Sequence, residues 1–204
     1  RVSLTNDIDT SDIPRSQEEV RLTAGASGVW VVYEDQIPDD IPSLDIFVQN
    51  FNLEGEPTFV DGGISVSSAN YSQEAPIIRA DDNGGVFTIW QDRRNGSTAI
   101  YTQYLTIGGV QLSTNGVELN SGIDWDGGLV DDEYNNYNKS KAHSKSIYLG
   151  SNQTFVYWMD NRNAASTFYQ NTYWQTYNSY GSIINSDFGS SGSNGSNVNG
   201  SKLS

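Results

Sequence analysis

The densest group of side chains that could bind a ligand is an acidic segment near the middle of the chain. It carries five carboxylates around Gly127 and Gly128, which permit a sharp turn. Calcium prefers six to eight oxygen ligands in a flexible geometry, so the segment predicts a calcium site, although its spacing differs from that of an EF-hand loop. The alternative is a solvated acidic loop. The candidate ligands are Asp124, Asp126, Asp131, Asp132 and Glu133.

Residues for acid–base or nucleophilic catalysis are few. His143 is the one histidine and cysteine is absent, which excludes a Cys–His pair and a zinc site made of thiolates or of several imidazoles. His143 lies in a polar, lysine-rich stretch, so we interpret it as an exposed histidine. Glycoside hydrolysis needs only two carboxylates at the right separation, but no pair stands out among 25 acidic residues. We therefore name no catalytic residue and expect a protein that is not an enzyme.

Aromatic side chains offer a different kind of site. Exposed rings can stack on the apolar faces of sugars while their polar atoms form hydrogen bonds. Two tyrosines follow the acidic segment, and three further aromatic residues lie in a later aromatic run. As an alternative to a structural role, the sequence therefore predicts sugar stacking by Tyr134, Tyr137, Tyr173, Trp174 and Tyr177.

A short phrase that occurs three times indicates how these residues are positioned. Its copies are Tyr33-Glu34-Asp35, Trp90-Gln91-Asp92-Arg93-Arg94 and Trp158-Met159-Asp160-Asn161-Arg162. Each copy ends an apolar alternating run and comes before an aromatic segment that contains glutamine. The copies recur at intervals of roughly 60 residues, and a repeat of this kind indicates an array of one structural unit.

Each unit is predicted to form four short strands. In the second unit they are Ala75–Ala80, Val86–Gln91, Ala99–Thr106 and Gly116–Leu119, with Gly, Asn or Asp between them. Helical periodicity is absent. Repeated four-stranded antiparallel units are typical of propeller blades, with a sandwich or a solenoid as the competing architectures. We predict an all-β, propeller-like array of about three blades plus a spare N-terminal strand.

The phrase itself is interpreted as packing and turn chemistry. The tryptophans are predicted to lie buried between sheets, the aspartates to cap the following turn through backbone N–H groups, and the arginines to pair with carboxylates of the next blade. The residues given this structural role are Tyr33, Asp35, Trp90, Asp92, Arg94, Trp158, Asp160 and Arg162.

The same pattern divides the chain into segments. Arg1 to Asn6 resembles the closing strand of the units, so the chain is expected to begin inside a blade. Other copies of the chain, or further blades of a longer chain, are then expected to complete the sheet. The segments are 1–15, a closing strand and linker; 16–71, blade 1; 72–122, blade 2; 123–140, the acidic loop insertion; 141–188, blade 3, with a closing strand at 182–185; and 189–204, a Gly/Ser/Asn-rich linker or tail.

Charge and composition narrow the choice of partners. The net charge of −14 disfavours nucleic acid and anionic membranes. We expect a secreted or cell-surface location, and extracellular glycans are one expected class of partner. Six Asn-x-Ser/Thr sequons lie in predicted turns or in the tail, where a glycan would reach solvent. They are Asn70, Asn95, Asn138, Asn152, Asn194 and Asn199.

The second unit, from Gln73 to Gly109, resembles the propeller-type repeats of large secreted bacterial surface proteins. In those repeats a Pro-Ile strand, a Gly-Gly turn, a Trp-x-Asp-x-Arg phrase and an Ile-Tyr-x-Gln strand recur from blade to blade. The resemblance covers roughly residues 16–188. It implies a secreted repeat domain and no particular activity.

These observations lead to three hypotheses about function. The one we favour is a non-catalytic structural or adhesive module of the cell surface, which unpaired strand edges would allow to assemble with itself. The second is a carbohydrate-binding, lectin-like propeller. The third is a fragment of a sialidase-like glycoside hydrolase, although the Ser-x-Asp-x-Gly-x-Thr-Trp turn of sialidases is absent from every unit.

Overall fold

The structure, a computed structural model, describes residues 16–26, 28–37, 43–60, 62–95, 98–119, 141–160, 171–178 and 201–202, with the backbone alone for 141–144, 158–160, 171–175 and 201–202. All regular structure in these ranges is β-strand. Among the described residues, no helix is long and apolar enough to span a membrane. The strands are β1 (Gln17–Gly25), β2 (Gly28–Ile37), β3 (Ser43–Phe51), β4 (Ile64–Ser67), β5 (Gln73–Ala80), β6 (Val86–Asp92), β7 (Ala99–Leu105), β8 (Val117–Leu119), β9 (Lys141–Gly150), β10 (Gln153–Asp160), β11 (Asn171–Asn178) and β12 (Ser201–Lys202).

The strands form three antiparallel sheets of four, each in sequential order. We call β1–β4 blade 1, β5–β8 blade 2 and β9–β12 blade 3. The all-β class and the four-stranded antiparallel unit predicted from sequence are confirmed, and the strands of blade 2 begin and end within two residues of the prediction. The described sheets form an open array and do not close into a ring.

The fourth strand of blade 3 differs from the prediction. It is β12, whose Ser201 and Lys202 pair with Trp174 and Tyr173 of β11. These residues belong to the segment expected to be a linker or tail. Local composition disfavours order there, but a two-residue strand needs only a neighbouring edge with free backbone groups. The closing strand predicted at 182–185 lies outside the described residues, as do Arg1 to Asn6.

The blades stack face to face, with their first strands at a common inner edge where β1 contacts β5 and β5 contacts β9. Two hydrophobic clusters fill the spaces between the sheets, and their burial is the main stabilising term for such a stack. Blades 1 and 2 enclose Trp30, Val32, Ile46, Val48, Val66, Ile78, Val86, Trp90, Ala99, Tyr101 and Leu105. Blades 2 and 3 enclose Ile77, Ile89, Ile100, Leu119, Val156 and Tyr177.

A β-bulge interrupts the first strand of blades 1 and 2 at the same repeat position. The register shifts between Glu18 and Arg21 in β1, and between Glu74 and Ile77 in β5. Glu19 and Ala75 have φ angles of 48° and 52°, in the left-handed region that residues other than glycine seldom occupy. Because a bulge leaves backbone groups out of the ladder, it frees the Ala75 N–H for a partner in the neighbouring blade.

Candidate active site at the inner edge of the blades

The side chain of Glu34 lies in the interface between blades 1 and 2. Side chains alternate along β2, so Glu34 follows Trp30 and Val32 on the face that packs against blade 2. It is only 4% exposed. Its Oε1 accepts a hydrogen bond of 2.6 Å from the backbone N–H of Ala75, the group that the β5 bulge releases. One carboxyl group thus joins two blades beside their inner edge.

Burial raises the pKa of Glu34 above its ordinary value of 4.5. The hydrogen bond from Ala75 lowers the pKa, whereas the charges of Glu19, Glu74 and Glu18 raise it further. The carboxylate is the less favourable form mainly because burial removes it from water, and also because its neighbours are negative. Glu34 therefore keeps its proton at a pH where an exposed glutamate has lost it.

The neighbouring acids occupy a different environment. We refer to Glu18, Glu19, Glu34 and Glu74 together as the inner-edge carboxylates. Arg21 forms an ion pair with Glu19, and Arg93 Nη2 lies 3.2 Å from Glu74 Oε2. The side chains of Glu19 and Glu74 are 49% and 28% exposed. A buried carboxyl group with a raised pKa thus interacts with more exposed carboxyl groups, two of which are paired with arginines, and carboxyl groups in such different environments can serve as acid and base in catalysis.

The residues of the repeated phrase in blade 2 form hydrogen bonds mainly with one another and do not form a candidate active site. Asp92 is 1% exposed, and its oxygens accept from Trp90 Nε1 (2.9 Å), Arg94 N (2.9 Å) and the Arg94 guanidinium (2.9 and 2.5 Å). The bond from Arg94 N is the turn cap that the sequence predicts. The buried Trp90 also matches its predicted place between the sheets.

Arg94 differs from the prediction that it pairs with a carboxylate of the next blade. Its ion pair is with Asp92 of its own blade, and its Nη2 also donates to Ser67 Oγ of blade 1 (3.1 Å). The guanidinium lies 4.0 Å from the centre of the Tyr101 ring. Only Arg93 lies between Asp92 and Arg94 in a tight turn, so the carboxylate nearest to the guanidinium belongs to the same blade.

Tyr101 completes this neutral network. Burial raises its pKa to about 12, and the carboxylate of Glu118, which accepts from the phenol at 3.3 Å, adds to the effect. The phenol is therefore a hydrogen-bond donor throughout the physiological range and supplies no acid–base chemistry.

The glutamine of the aromatic segment has a role that sequence reasoning missed. Gln103 accepts from Ser113 N and Oγ at 3.2 and 2.9 Å and donates to Ser113 O. Gln49 accepts from Phe59 N at 3.1 Å and donates to Val60 O at 3.1 Å. Each amide holds the loop that leads to the fourth strand of its blade. The signal was present in the sequence, because the glutamine recurs at one position of the repeat.

The other predicted site residues lie in the core, in strands of blade 3, or outside the described residues. Tyr177 is 1% exposed within the cluster between blades 2 and 3, so its ring is part of the core and offers no face to a sugar, contrary to the prediction. Tyr173 and Trp174 lie in β11, and Trp158 and Asp160 lie in β10. The candidates outside the described residues are Asp124, Asp126, Asp131, Asp132, Glu133, Tyr134, Tyr137, His143's side chain and Arg162.

Among the described residues, no group of three or more acidic, histidine or cysteine side chains is arranged to hold a metal ion. Tyr33 and Asp35 of the first phrase are both buried. Of the sequons, Asn70 and Asn95 are exposed and Asn152 is partly exposed, whereas Asn138, Asn194 and Asn199 lie outside the described ranges.

Comparison with known proteins finds no matching family model and no matching curated protein. Similar solved structures include the crystal structure of a thermostable family-43 glycoside hydrolase, with a TM-score of 0.48 and 13% identity over 78% of this chain. They also include an α-L-arabinofuranosidase from Fusarium graminearum in complex with an iminosugar inhibitor, with a TM-score of 0.44 and 15% identity over 85% of this chain. The chain spans about half the length of these structures, 49% of each.

Both of these structures are of enzymes, which contradicts our expectation that the protein is not an enzyme, and we withdraw that expectation. A non-catalytic adhesive role likewise gains no support. Similarity at this level says nothing about what this chain acts on, so its chemistry has to be argued from its own residues.

Proposed function

We propose that the protein hydrolyses glycosides and that Glu34 is the proton donor. The observation that carries the proposal is the buried carboxyl of Glu34, whose pKa is raised by burial and by the charges of Glu19, Glu74 and Glu18. A carboxyl group with a raised pKa that interacts with a second carboxyl group is the combination that glycoside hydrolysis uses.

The reaction assigns a step to each member of the pair. Glu34 donates its proton to the glycosidic oxygen as the bond between that oxygen and the anomeric carbon breaks. An ionised carboxylate then supports attack at the anomeric carbon, either by activating a water molecule or by attacking directly. We assign this role to Glu74, because it precedes Ala75, which bonds Glu34, and because Arg93 compensates its charge. Water supplies the oxygen and hydrogen of the new anomeric hydroxyl group, and its second proton replaces the one that Glu34 gave to the glycosidic oxygen of the leaving group.

The experiment measures release of nitrophenol from a panel of nitrophenyl glycosides, including the α-L-arabinofuranoside, by the full chain. We expect turnover of at least one glycoside and a fall of about 100-fold or more in kcat for Glu34→Gln, as is typical of a lost general acid. The control is Glu118→Gln, which changes a carboxylate of the outer strand β8 and is expected to leave kcat unchanged.

Glutamine is the informative replacement because it separates chemistry from folding. Its amide oxygen can still accept from the Ala75 N–H, and glutamine already stands at the equivalent position of blade 2, as Gln91. Lack of turnover across the panel, or full activity of Glu34→Gln, contradicts the proposal.

A polar groove on the outer side of the array favours a second candidate function, glycan binding without turnover. It encloses about 440 Å³ between blades 1 and 2 and is lined mainly by hydroxyl and amide groups, including Ser65, Ser68, Gln111, Ser113 and Asn115. An uncharged lining of this kind suits a hydroxyl-rich ligand. Glycan-array binding that survives Glu34→Gln but is lost on Ser68→Trp, which fills the groove, would support this function over hydrolysis.

A further inference from the structure

The contact between blades 1 and 2 shows which blade face binds which. Blade 2 turns Ile78, Val86 and Trp90 toward blade 1, and all three are 0% exposed. Ile78 pairs with Thr88 across β5 and β6, and Leu22 pairs with Val31 at the same position of β1 and β2. Leu22 is therefore the repeat equivalent of Ile78.

Blade 1 carries the same kind of face on its far side, away from blade 2. Leu22 there is 65% exposed, and Val29, the equivalent of Val86, is 39% exposed. Large aliphatic side chains at positions that are fully buried in the next repeat indicate a surface built to receive another blade. We call it the receiving face of blade 1.

Blade 3 carries the opposite kind of face on its far side. Ile147 pairs with Phe155, at the repeat position where blade 2 pairs Arg79 with Phe87. Arg79 points to the following blade, since its Nε donates to Ser146 O of blade 3 at 2.8 Å. Ile147 is 60% exposed and the nearby Leu149 is 56% exposed. We call this surface the donating face of blade 3.

We propose that the receiving face of blade 1 binds the donating face of blade 3 from a second copy of the chain. The contact repeats the way in which blade 2 receives blade 1 within one chain, so it continues an interface that the structure already contains. It joins two different surfaces, head to tail, and is therefore heterologous. Each copy uses its receiving face and its donating face, which lie at opposite ends of the array.

The first test measures molar mass in solution by sedimentation. The wild-type chain is expected to form an assembly of two or more copies at tens of micromolar. Leu22→Asp and Ile147→Asp place a charge in opposite sides of the contact, and each is expected to weaken association at least about 30-fold, as for a central anchor residue. The matched control is Leu53→Asp in the β3–β4 turn, where the side chain is 85% exposed and outside both faces.

The second test mixes the two variants. A Leu22→Asp chain keeps an intact donating face and an Ile147→Asp chain keeps an intact receiving face, so an equimolar mixture is expected to recover a dimer. Near-UV circular dichroism checks that each variant is folded. A monomeric wild type, an assembly that either variant leaves intact, or a mixture that stays monomeric overturns the proposal. Loss of assembly in Leu22→Asp alone also overturns it, because that result indicates a contact between two copies of blade 1.

Discussion

Blades 1 and 2 share one architecture but differ in the chemistry of the same repeat position. Both place a bulge at the same point of the first strand, and both use a glutamine of the third strand to hold the following loop. The residue after the aromatic of the phrase is Glu34 in blade 1 and Gln91 in blade 2. The residues that the two blades share account for packing, whereas the candidate chemistry depends on a residue that differs between them.

The aspartates of the two phrases show a second difference. Asp92 is neutralised by Arg94, two residues later, whereas Ile37 occupies that position after Asp35. Blade 2 thus confines its charge within a local ion pair. In blade 1, Glu34 is buried in the interface, and the charges of Glu19 and Glu18 add to the effect of burial in raising its pKa.

Removing the buried tryptophan of blade 2 is expected to lower stability more than any other change considered below. Trp90→Ala removes a fully buried ring from the cluster between blades 1 and 2 and a hydrogen bond to Asp92. We expect the free energy of unfolding to fall by about 3–5 kcal/mol, measured by urea denaturation. The control is Tyr71→Ala, whose side chain is 63% exposed and which should change stability far less. A loss below about 1 kcal/mol would contradict packing by the phrase.

Substitution of Gln49 and of Gln103 tests whether the two glutamines contribute equally to stability. Gln49→Ala and Gln103→Ala each leave backbone groups of a loop without their amide partner, and each residue is buried. We expect each change to lower the free energy of unfolding by about 2–3 kcal/mol in urea denaturation. Clearly unequal losses would show that the two glutamines occupy the same position in their blades but contribute differently to stability.

Two substitutions of Glu34 distinguish its contribution to stability as a hydrogen-bond acceptor from the contribution of its acidic group. Glu34→Ala leaves the Ala75 N–H without its acceptor, so the free energy of unfolding should fall by about 1–2 kcal/mol. Glu34→Gln keeps an acceptor and should be at least as stable as wild type at neutral pH. Equal destabilisation by alanine and glutamine would mean that the hydrogen bond requires the carboxyl group.

The smallest effect is a pH dependence of stability. The pKa of Glu34 is raised in the folded state, so the folded chain binds this proton more tightly than the unfolded chain. The resulting stabilisation is full below the ordinary pKa of 4.5 and is lost as pH rises through the folded-state pKa. Relative to wild type, Glu34→Gln should therefore gain stability as pH rises from about 4 to about 7 in thermal melts. The opposite sign would contradict a raised pKa.

Much of the fold could be predicted from sequence because it depends on local patterns. Alternating apolar residues, turn residues and the repeated phrase specify the strands of blade 2 and the burial of Trp90. Arg94 was assigned the wrong partner because a side chain's neighbours across an interface depend on blade spacing, which no local pattern records. The fourth strand of blade 3 was missed because its pairing is remote in sequence.

The candidate site was harder to predict for the same reason. Glu34 is one of 25 acidic residues, and although it stands where blade 2 has Gln91, its burial is not visible in the sequence around it. Its environment depends on the β5 bulge, which positions the Ala75 N–H, and on the charge of Glu74 in the neighbouring blade. Tyr177 was assigned to sugar stacking because its place in an aromatic run does not reveal which face of β11 is buried.

The most direct test of Glu34 as the proton donor is the pH profile of kcat/KM for a hydrolysed nitrophenyl glycoside. We predict that activity falls as pH rises through the raised pKa of Glu34, giving a limb above the ordinary glutamate value of 4.5. The Glu34→Gln variant should lose this activity, while Gln91→Asn, at the equivalent position of blade 2, should keep both the activity and the limb. A limb that persists in Glu34→Gln with undiminished kcat/KM would contradict the account.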